Sequence, residues 1–442
     1  MRKSQNRLSD DIRQVKLPSY LELCRDGKTN VFVRNRKISV DDLILSMINR
    51  KGVTLYMELR SYMEIAHPEI KISKVAYLKQ RMNLNPMAIE YLYKRHNCAF
   101  YLDSEETPTL YNGYLVLAAD GSDINIPTTS ETIELYGTAG RKDVKPQAQA
   151  GLGCLYDVLN RFVIDASINR VKFHEMAIAE QQIYKVKETI GDRYPFMVTM
   201  DRGYVSIASF LRLMDCHIPF VVRLKSSDFK AEKKAMKSDD EDVTIAITNS
   251  RRNNYIGTPD ESIITRQDSF QLRFVRVTLE TGETEVLATT LSREEFPADS
   301  FGEIYHMRWG IETAFQSLKD RLQLENFTGT KPRLIEQDIY ATIYVSNLSE
   351  DIIRDIEIEN KEKLENGYMH KMMINRNISF GILKNDLIST ILTADYDEQK
   401  RKFQAIYDEL AQNIIPIRNG RHFHRTKGVL VGKYSNTHKR SY

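Results

Sequence analysis

The sequence predicts an α/β protein with a mixed sheet. Three observations carry this. Apolar runs of strand length occur at 114–119, 147–156, 161–169, 196–200 and 218–224. Stretches of helical period separate the later ones, at 173–190 and 205–214. Residues Asp157-Val-Leu-Asn160 are too few for a crossover, so they join the second and third runs as a hairpin. Strands alternating with helices build a parallel sheet, and the hairpin adds an antiparallel pair to it.

The elements before this unit are helical. Residues 1–37 are expected to be extended or loosely folded. Ser39 precedes Val40–Ile48 and caps an amphipathic helix there. Further helices are expected near 54–65, 73–82 and 86–96, the last with Asn85 as cap and Pro86 in the first helical position. Lys71, Lys74, Lys79, Gln80 and Arg81 make the third of these basic. Such a bundle is compatible with helix-turn-helix-like DNA binding, and equally with a plain packing domain.

The elements after it are of two kinds. Residues 226–300 form a β-rich insertion. Its first part, 226–242, is polar and expected to be mobile. Strands follow at 243–248, 270–279 and 284–290, with Glu280-Thr-Gly-Glu283 as the last turn. From 329 to about 415 the pattern is helical, including 338–358 and 381–393, without obvious chemistry.

Length and composition narrow the function. A chain of 442 residues has material for two or more domains. No apolar run approaches the roughly 18 residues of a membrane span, and no apolar signal core follows the N-terminus, so a cytoplasmic protein is expected. Cys24, Cys98, Cys154 and Cys216 are widely spaced, which fits reduced thiols better than a zinc site. Net charge is only +3, but the ends are basic. Residues 1–37 carry ten Lys and Arg against four acids, and 417–442 carry seven and none. Basic ends suit contact with a phosphate backbone.

The candidate chemistry begins with two aspartates. The run 114–119 ends at Asp120, followed by Gly121; the run 196–200 ends at Asp201, two residues before Gly203. Functional groups in α/β sheets commonly sit just beyond strand ends. A turn aspartate capping a loop would look the same. The third feature is a helix through 305–319, opened by a Ser300-x-x-Glu303 capping box. At about 100° per residue, Tyr305, Arg308, Glu312 and Lys319 share one stripe. Met307, Ile311, Phe315 and Leu318 form its apolar side. Alone, the stripe also describes a solvated charged face. Together with Asp120 and Asp201 it supplies three carboxylates that can converge on Mg²⁺, a hard ion that takes oxygen ligands. Two such ions about 4 Å apart can activate an attacking water or 3′-hydroxyl and stabilise the leaving oxygen of a phosphodiester. Trp309, beside the stripe, can pack in the core or touch DNA, and core packing is expected. Asp123 is a nearby alternative to Asp120, which is preferred because it ends the apolar run.

Tyr305-x2-Arg308-x3-Glu312-x6-Lys319 resembles the Tyr-Arg-Glu-Lys signature of the insertion sequence 4 family of DDE transposases. Ala119-Asp120-Gly121-Ser122 and Met200-Asp201-Arg202-Gly203-Tyr204 resemble its two aspartate motifs. Tyr136-Gly137, Pro146-Gln147, Tyr156–Asn160 and Val221-Val222-Arg223-Leu224-Lys225 add to the likeness, which spans roughly 110–330. The resemblance implies a ribonuclease H-like catalytic core with a β-rich insertion before the glutamate helix. On that basis three regions are expected: an N-terminal helical, DNA-binding domain at 1–105; the catalytic domain at 106–330 with its insertion at about 226–300; and a helical region with a basic tail at 331–442. It also implies that Asp120, Asp201 and Glu312 bind metal, with Mg²⁺ or Mn²⁺ as cofactor and two ions expected. Tyr305, Arg308 and Lys319 would contact DNA. The partners would be double-stranded DNA, as terminal inverted repeats and target, and a second copy of the chain in a homodimer. The activity would be metal-dependent end cleavage and strand transfer. A ribonuclease H-like nuclease without strand transfer, and a non-catalytic DNA-binding protein derived from a mobile element, are the alternatives. A two-carboxylate glycosidase would leave Arg308 and Lys319 without a role.

Overall fold

In the computed structural model, which describes residues 2–34, 36–139, 146–278 and 282–418, the chain before the first strand is helical. It forms α1 (Lys3–Val15), α2 (Pro18–Arg25), α3 (Val40–Ile48), α4 (Leu55–Ala66), α5 (Lys74–Arg81) and α6 (Pro86–Tyr101). Two of the expected caps form. Ser39 Oγ accepts from Asp42 N, and the Asp42 carboxylate accepts from Ser39 N, both at 3.2 Å. Asn85 Oδ1 accepts from Met87 N at 3.2 Å ahead of Pro86.

Helices α1 and α2 correct the expectation of an extended N-terminal segment. The buried side of α1 is largely polar: Ser4, Gln5, Arg7 and Asp11 lie inside together with Leu8 and Val15. Its inward groups are satisfied by ion pairs and hydrogen bonds, so hydrophobic periodicity gave no sign of the helix.

The chain continues through β1 (Leu115–Asn125), α7 (Ser130–Tyr136), β2 (Thr138–Ala139), β3 (Gln147–Asp157), β4 (Phe162–Arg170) and α8 (Glu175–Val186). Then come β5 (Phe196–Met200), α9 (Ile207–Asp215), β6 (Phe220–Arg223), α10 (Lys230–Ala235) and β7 (Asp240–Ala246). Helices α11 (Asn249–Asn253) and α12 (Glu261–Thr265), strands β8 (Ser269–Thr278) and β9 (Thr284–Thr289), and helices α13 (Phe301–Met307) and α14 (Trp309–Gln316) follow. The last elements are α15 (Pro332–Glu359), α16 (Lys361–Asn366), β10 (Met372–Ile374), α17 (Arg376–Ile391), α18 (Tyr396–Gln412) and β11 (Ile414–Pro416). The protein is a mixed α/β structure. The basic tail beyond Arg418 and the first half of the turn at 280–283 lie outside the described residues.

The described residues of Met1–Asp103, Asp123–Ala150 and Gln316–Tyr442 form one compact unit; Ser104–Ser122 and Gly151–Phe315 form the other. The first unit is mostly helical and is built around α15. This 28-residue helix is buried on nearly all sides, and α1, α3, α6, α17 and α18 pack on it. Its polar residues are paired inside the core. Asp338 holds Arg81 at 2.9 Å and Arg50 at 3.3 Å, and Asp351 holds Arg7 at 2.5 Å and His96 at 3.3 Å.

The second unit is a sheet ordered β4-β3-β1-β5-β6-β9-β8-β7. β1, β5 and β6 are parallel, whereas β9, β8 and β7 join antiparallel. The β-rich stretch therefore widens the sheet past β6 rather than standing apart from it. Residues 226–242, expected to be mobile, contain α10 and the start of β7. Phe229 and Met236 at the ends of α10 are buried, and Asp240 pairs with Arg273 at 2.8 Å. These anchors are single residues in a polar sequence, too few to give a periodic signal. One face of the sheet, with Val116, Met197, Val221, Val275 and Leu287, packs against Phe301, Ile304 and Tyr305 of α13. That packing fixes α13 on the sheet and sets where α14 begins. Among the described residues no helix is long and apolar enough to cross a membrane, and the four cysteines are free.

Candidate active site

Strand register sets the first two carboxylates side by side. Ala119 of β1 pairs with Met200 of β5 in parallel, so Asp120 and Asp201 are the next residues on strands roughly 5 Å apart. Asp120 does not end its strand, as the apolar run suggested; β1 continues to Asn125. What ends there is full burial: Leu115–Ala119 are 0% exposed and Asp120 is the first partly exposed residue. Its Oδ1 accepts from Gly121 N at 2.9 Å. Burial, reinforced by the charges of Glu175 and Glu312, pushes the Asp120 carboxyl up to about 6, against the Gly121 N–H and Arg308, which pull it down. Asp201 follows the end of β5 as expected. Its carbonyl accepts from Tyr204 N at 3.0 Å, which closes a one-turn 3₁₀ helix over Arg202–Tyr204.

The third carboxylate arrives on a broken helix. The Ser300 hydroxyl bonds to the Pro297 carbonyl at 2.7 Å, so the expected capping box does not form; a short 3₁₀ turn leads into α13 instead. The helix tightens at Arg308. Arg308 N donates to Tyr305 O at 3.2 Å and Ile311 N to Arg308 O at 3.1 Å, three-residue bonds that separate α13 from α14. The apolar side survives, with Ile311, Phe315 and Leu318 buried. Tyr305, Arg308 and Glu312 still meet. Arg308 Nη2 donates to Glu312 Oε1 at 3.0 Å, and Nη1 lies 4.0 Å from Asp120 Oδ2. The Tyr305 hydroxyl donates to Asp201 Oδ1 at 3.3 Å. Burial raises the Tyr305 phenol to about 12, opposed by Arg308 and helped by Asp201.

Arg308 is thus the cation that Asp120 and Glu312 share, and the charge of Asp201 acts on it as well. It is only 4% exposed. Burial works against its charge, but Tyr305, Glu312 and Asp201 more than offset that and raise its pKa. Its Nε has no hydrogen-bond partner among the described residues. In this conformation, no three His, Cys, Asp or Glu side chains among the described residues are gathered tightly enough to hold a metal. The donor chemistry nevertheless fits Mg²⁺ or Mn²⁺: all three candidates are carboxylates, and a positive group already stands among them.

The transposase DDE domain family matches residues 111–348, over half of the chain and across all three carboxylates. The chain belongs to the DDE transposase family. Among its relatives is the transposase InsG for insertion sequence element IS4 of Escherichia coli strain K12. It is 22% identical over 343 residues, which cover 75% of this chain and 73% of that protein. The resemblance to the insertion sequence 4 group thus stands. The transposase for insertion sequence element IS421 of Escherichia coli is 35% identical over 77 residues, 17% of this chain and 21% of that one. A solved structure titled as a piggyBac transposase synaptic complex with hairpin DNA aligns with a TM-score of 0.45 and 9% identity, covering 94% of this chain and 87% of that one.

Lys319 of this transposase does not continue the stripe into the same unit. It lies in a π-turn, Ser317–Arg321, of the mostly helical unit. There its Nζ donates to the Asp123 carbonyl at 2.6 Å, and burial lowers its pKa. Trp309 corrects another expectation: it is 41% exposed rather than packed in the core. Its ring faces the Arg308 guanidinium at 5.6 Å, and the buried side of α14 is supplied by Ile311 and Phe315.

Sequence reasoning misses two charged residues around the site. Glu285 is buried on β9 and pairs with Arg223 at 2.5 Å, and Asp201 contributes to its raised pKa after burial and the opposing charge of Arg223. A glutamate at an inward position of an alternating strand was the available signal. Glu175, at the start of α8, borders Asp120; nothing local in the sequence marks it.

Proposed function

We propose that this transposase binds the terminal inverted repeats of its own insertion sequence as duplex DNA, cleaves the element ends and joins the freed 3′ ends to target DNA. Asp120, Asp201 and Glu312 are the catalytic and metal-binding carboxylates in this reading. The observation that carries it is their convergence near one buried guanidinium: Glu312 and Asp120 lie 3.0 and 4.0 Å from Arg308, and Asp201 is tied to the neighbouring Tyr305. The sheet order supports a ribonuclease H-like core, with the hairpin β3–β4 on one side of β1 and the parallel strands β5 and β6 on the other.

Two bound Mg²⁺ or Mn²⁺ ions would supply activation of the attacking oxygen and charge neutralisation at the leaving oxygen. The protein's own groups do the rest. Asp120 and Asp201 are presented from adjacent strands with little freedom to move, and Glu312 from a helix packed on the sheet. Arg308 holds a phosphate oxygen through its guanidinium, the charged group suited to that contact. Tyr305 orients Asp201 through its hydroxyl and lies beside the DNA backbone, and Lys319 holds a further phosphate. The acting form is a homodimer on paired ends, working in the cytoplasm.

The test is cleavage of a duplex carrying the element's own terminal repeat. Asp120→Asn, Asp201→Asn and Glu312→Gln should each reduce Mn²⁺-dependent cleavage on the order of a thousandfold while the duplex is still bound. Undiminished cleavage by any one of them would remove that residue from the catalytic set.

A further inference from the structure

Glu175 stands between the two aspartate motifs. Its carboxylate lies so close to Gly121 that a Cβ there would meet Oε1 at 3.1 Å and Cδ at 3.2 Å. Gly121 follows Asp120 directly and bonds to its carboxylate. On its other side, the charge of Glu175 acts on the Tyr204 hydroxyl, which burial and then Asp120 and Glu175 hold in its protonated form. Tyr204 is 3% exposed and closes the turn that begins at Asp201. A buried phenol has few alternative partners, so losing Glu175 frees the ring to shift.

We infer that Glu175 is a positioning residue: by accepting the Tyr204 hydroxyl while resting against Gly121, it fixes the Asp201 turn beside Asp120. The inference rests on the proposed function, because it concerns the geometry of the same two carboxylates. It also fits glycine at 121, where an added Cβ would crowd the Glu175 carboxylate at 3.1 Å. Glu175 acts here as a hydrogen-bond acceptor. Glutamine keeps that acceptor and the length of the side chain, whereas alanine removes both.

The experiment uses the full chain, MnCl₂ and the terminal-repeat duplex. Two quantities are read: the single-turnover cleavage rate, and the Mn²⁺ midpoint from the fluorescence of the chain's single tryptophan, Trp309. Glu175→Ala and Tyr204→Phe should each slow cleavage about tenfold and raise the Mn²⁺ midpoint severalfold, with duplex affinity unchanged. The double variant should be no worse than the poorer single, because both remove one hydrogen bond. Glu175→Gln should recover most of the rate. Additive losses in the double variant, a wild-type rate in Glu175→Ala, or a Glu175→Gln as impaired as Glu175→Ala would each overturn the inference. A wild-type chain that binds Mn²⁺ but leaves the duplex intact would overturn the proposed function, and the shift in Mn²⁺ midpoint would then decide the role of Glu175 by itself.

Discussion

Arg308 donates to Glu312 at 3.0 Å and stops 4.0 Å short of Asp120, with its Nε unpartnered among the described residues. The cation is nearly buried while its acids are partly open, with side-chain exposures of 22% for Asp120 and 35% for Glu312. Its removal therefore leaves like charges that water and ions can screen in part. Arg308→Met should cost about 2 kcal/mol of stability, less than a fully buried pair would. Mn²⁺ should then raise the melting temperature of the variant more than that of the wild type, since the ion replaces the lost charge. Equal shifts would mean that Arg308 does not compensate these carboxylates.

A second prediction concerns pH. His96 is fully buried between Asp11 at 2.7 Å and Asp351 at 3.3 Å. Arg7 and Arg95 pair with the same two acids, and the Tyr344 hydroxyl donates to Asp11 at 3.0 Å. Burial alone would favour neutral imidazole, but the two aspartates reverse that and hold its pKa at about 9, above the ordinary 6.5. A raised folded-state value means the stabilisation is complete below pH 6.5 and is lost as pH rises through 9. The loss amounts to about 3 kcal/mol. Lys384, which burial lowers to about 8, gives a slope of the opposite sign above that pH. Urea unfolding from pH 6 to 9.5 should therefore be compared between wild type and His96→Gln. The difference in slope isolates His96, and parallel curves would refute the assignment.

The buried pair at the centre of the helical unit makes a third. Arg81 and Asp338 are both 0% exposed, and Arg81 also donates to Gln337 and Thr328. Its neighbours hold Asp338 at about 2: burial pushes the carboxyl up, but Arg50, Arg81 and Thr328 more than reverse this. Its contribution is present above the ordinary carboxylate range and fades as pH falls toward 2. Arg81→Ala should cost about 3 kcal/mol in urea unfolding, the low end for a broken buried pair because Arg50 remains at 3.3 Å. A loss below about 1 kcal/mol would show that Arg50 suffices.

The parts of this structure legible in the sequence are those with a period or a boundary. The switch from buried Ala119 to partly exposed Asp120 is visible as the end of an apolar run; the continuation of β1 to Asn125 is not, because its outer residues are polar. Asp201 was legible because its strand does stop. The spacing of Tyr305, Arg308 and Glu312 marked one helical face, yet the tight turn at Arg308 and the π-turn that carries Lys319 depend on tertiary packing, which no local pattern encodes. Helix α1 was hidden because its inward side is made of Arg7 and Asp11. Glu175 was hidden because only the folded chain brings it to Gly121 and Tyr204.

Trp309 supplies the last prediction. As the chain's single tryptophan, 41% exposed and next to Arg308, it reports on this face without interference. An exposed indole beside a guanidinium offers a stacking surface to a nucleic-acid base. Acrylamide should quench its fluorescence readily in the free chain, and saturation with the terminal-repeat duplex should reduce the quenching constant at least about twofold. Trp309→Phe should keep the fold, since an aromatic ring is retained at a half-exposed position, and lose part of the duplex affinity. An unchanged quenching constant under saturating duplex would place the bound DNA away from α14, and with it would fall the reading of Arg308 as a phosphate contact.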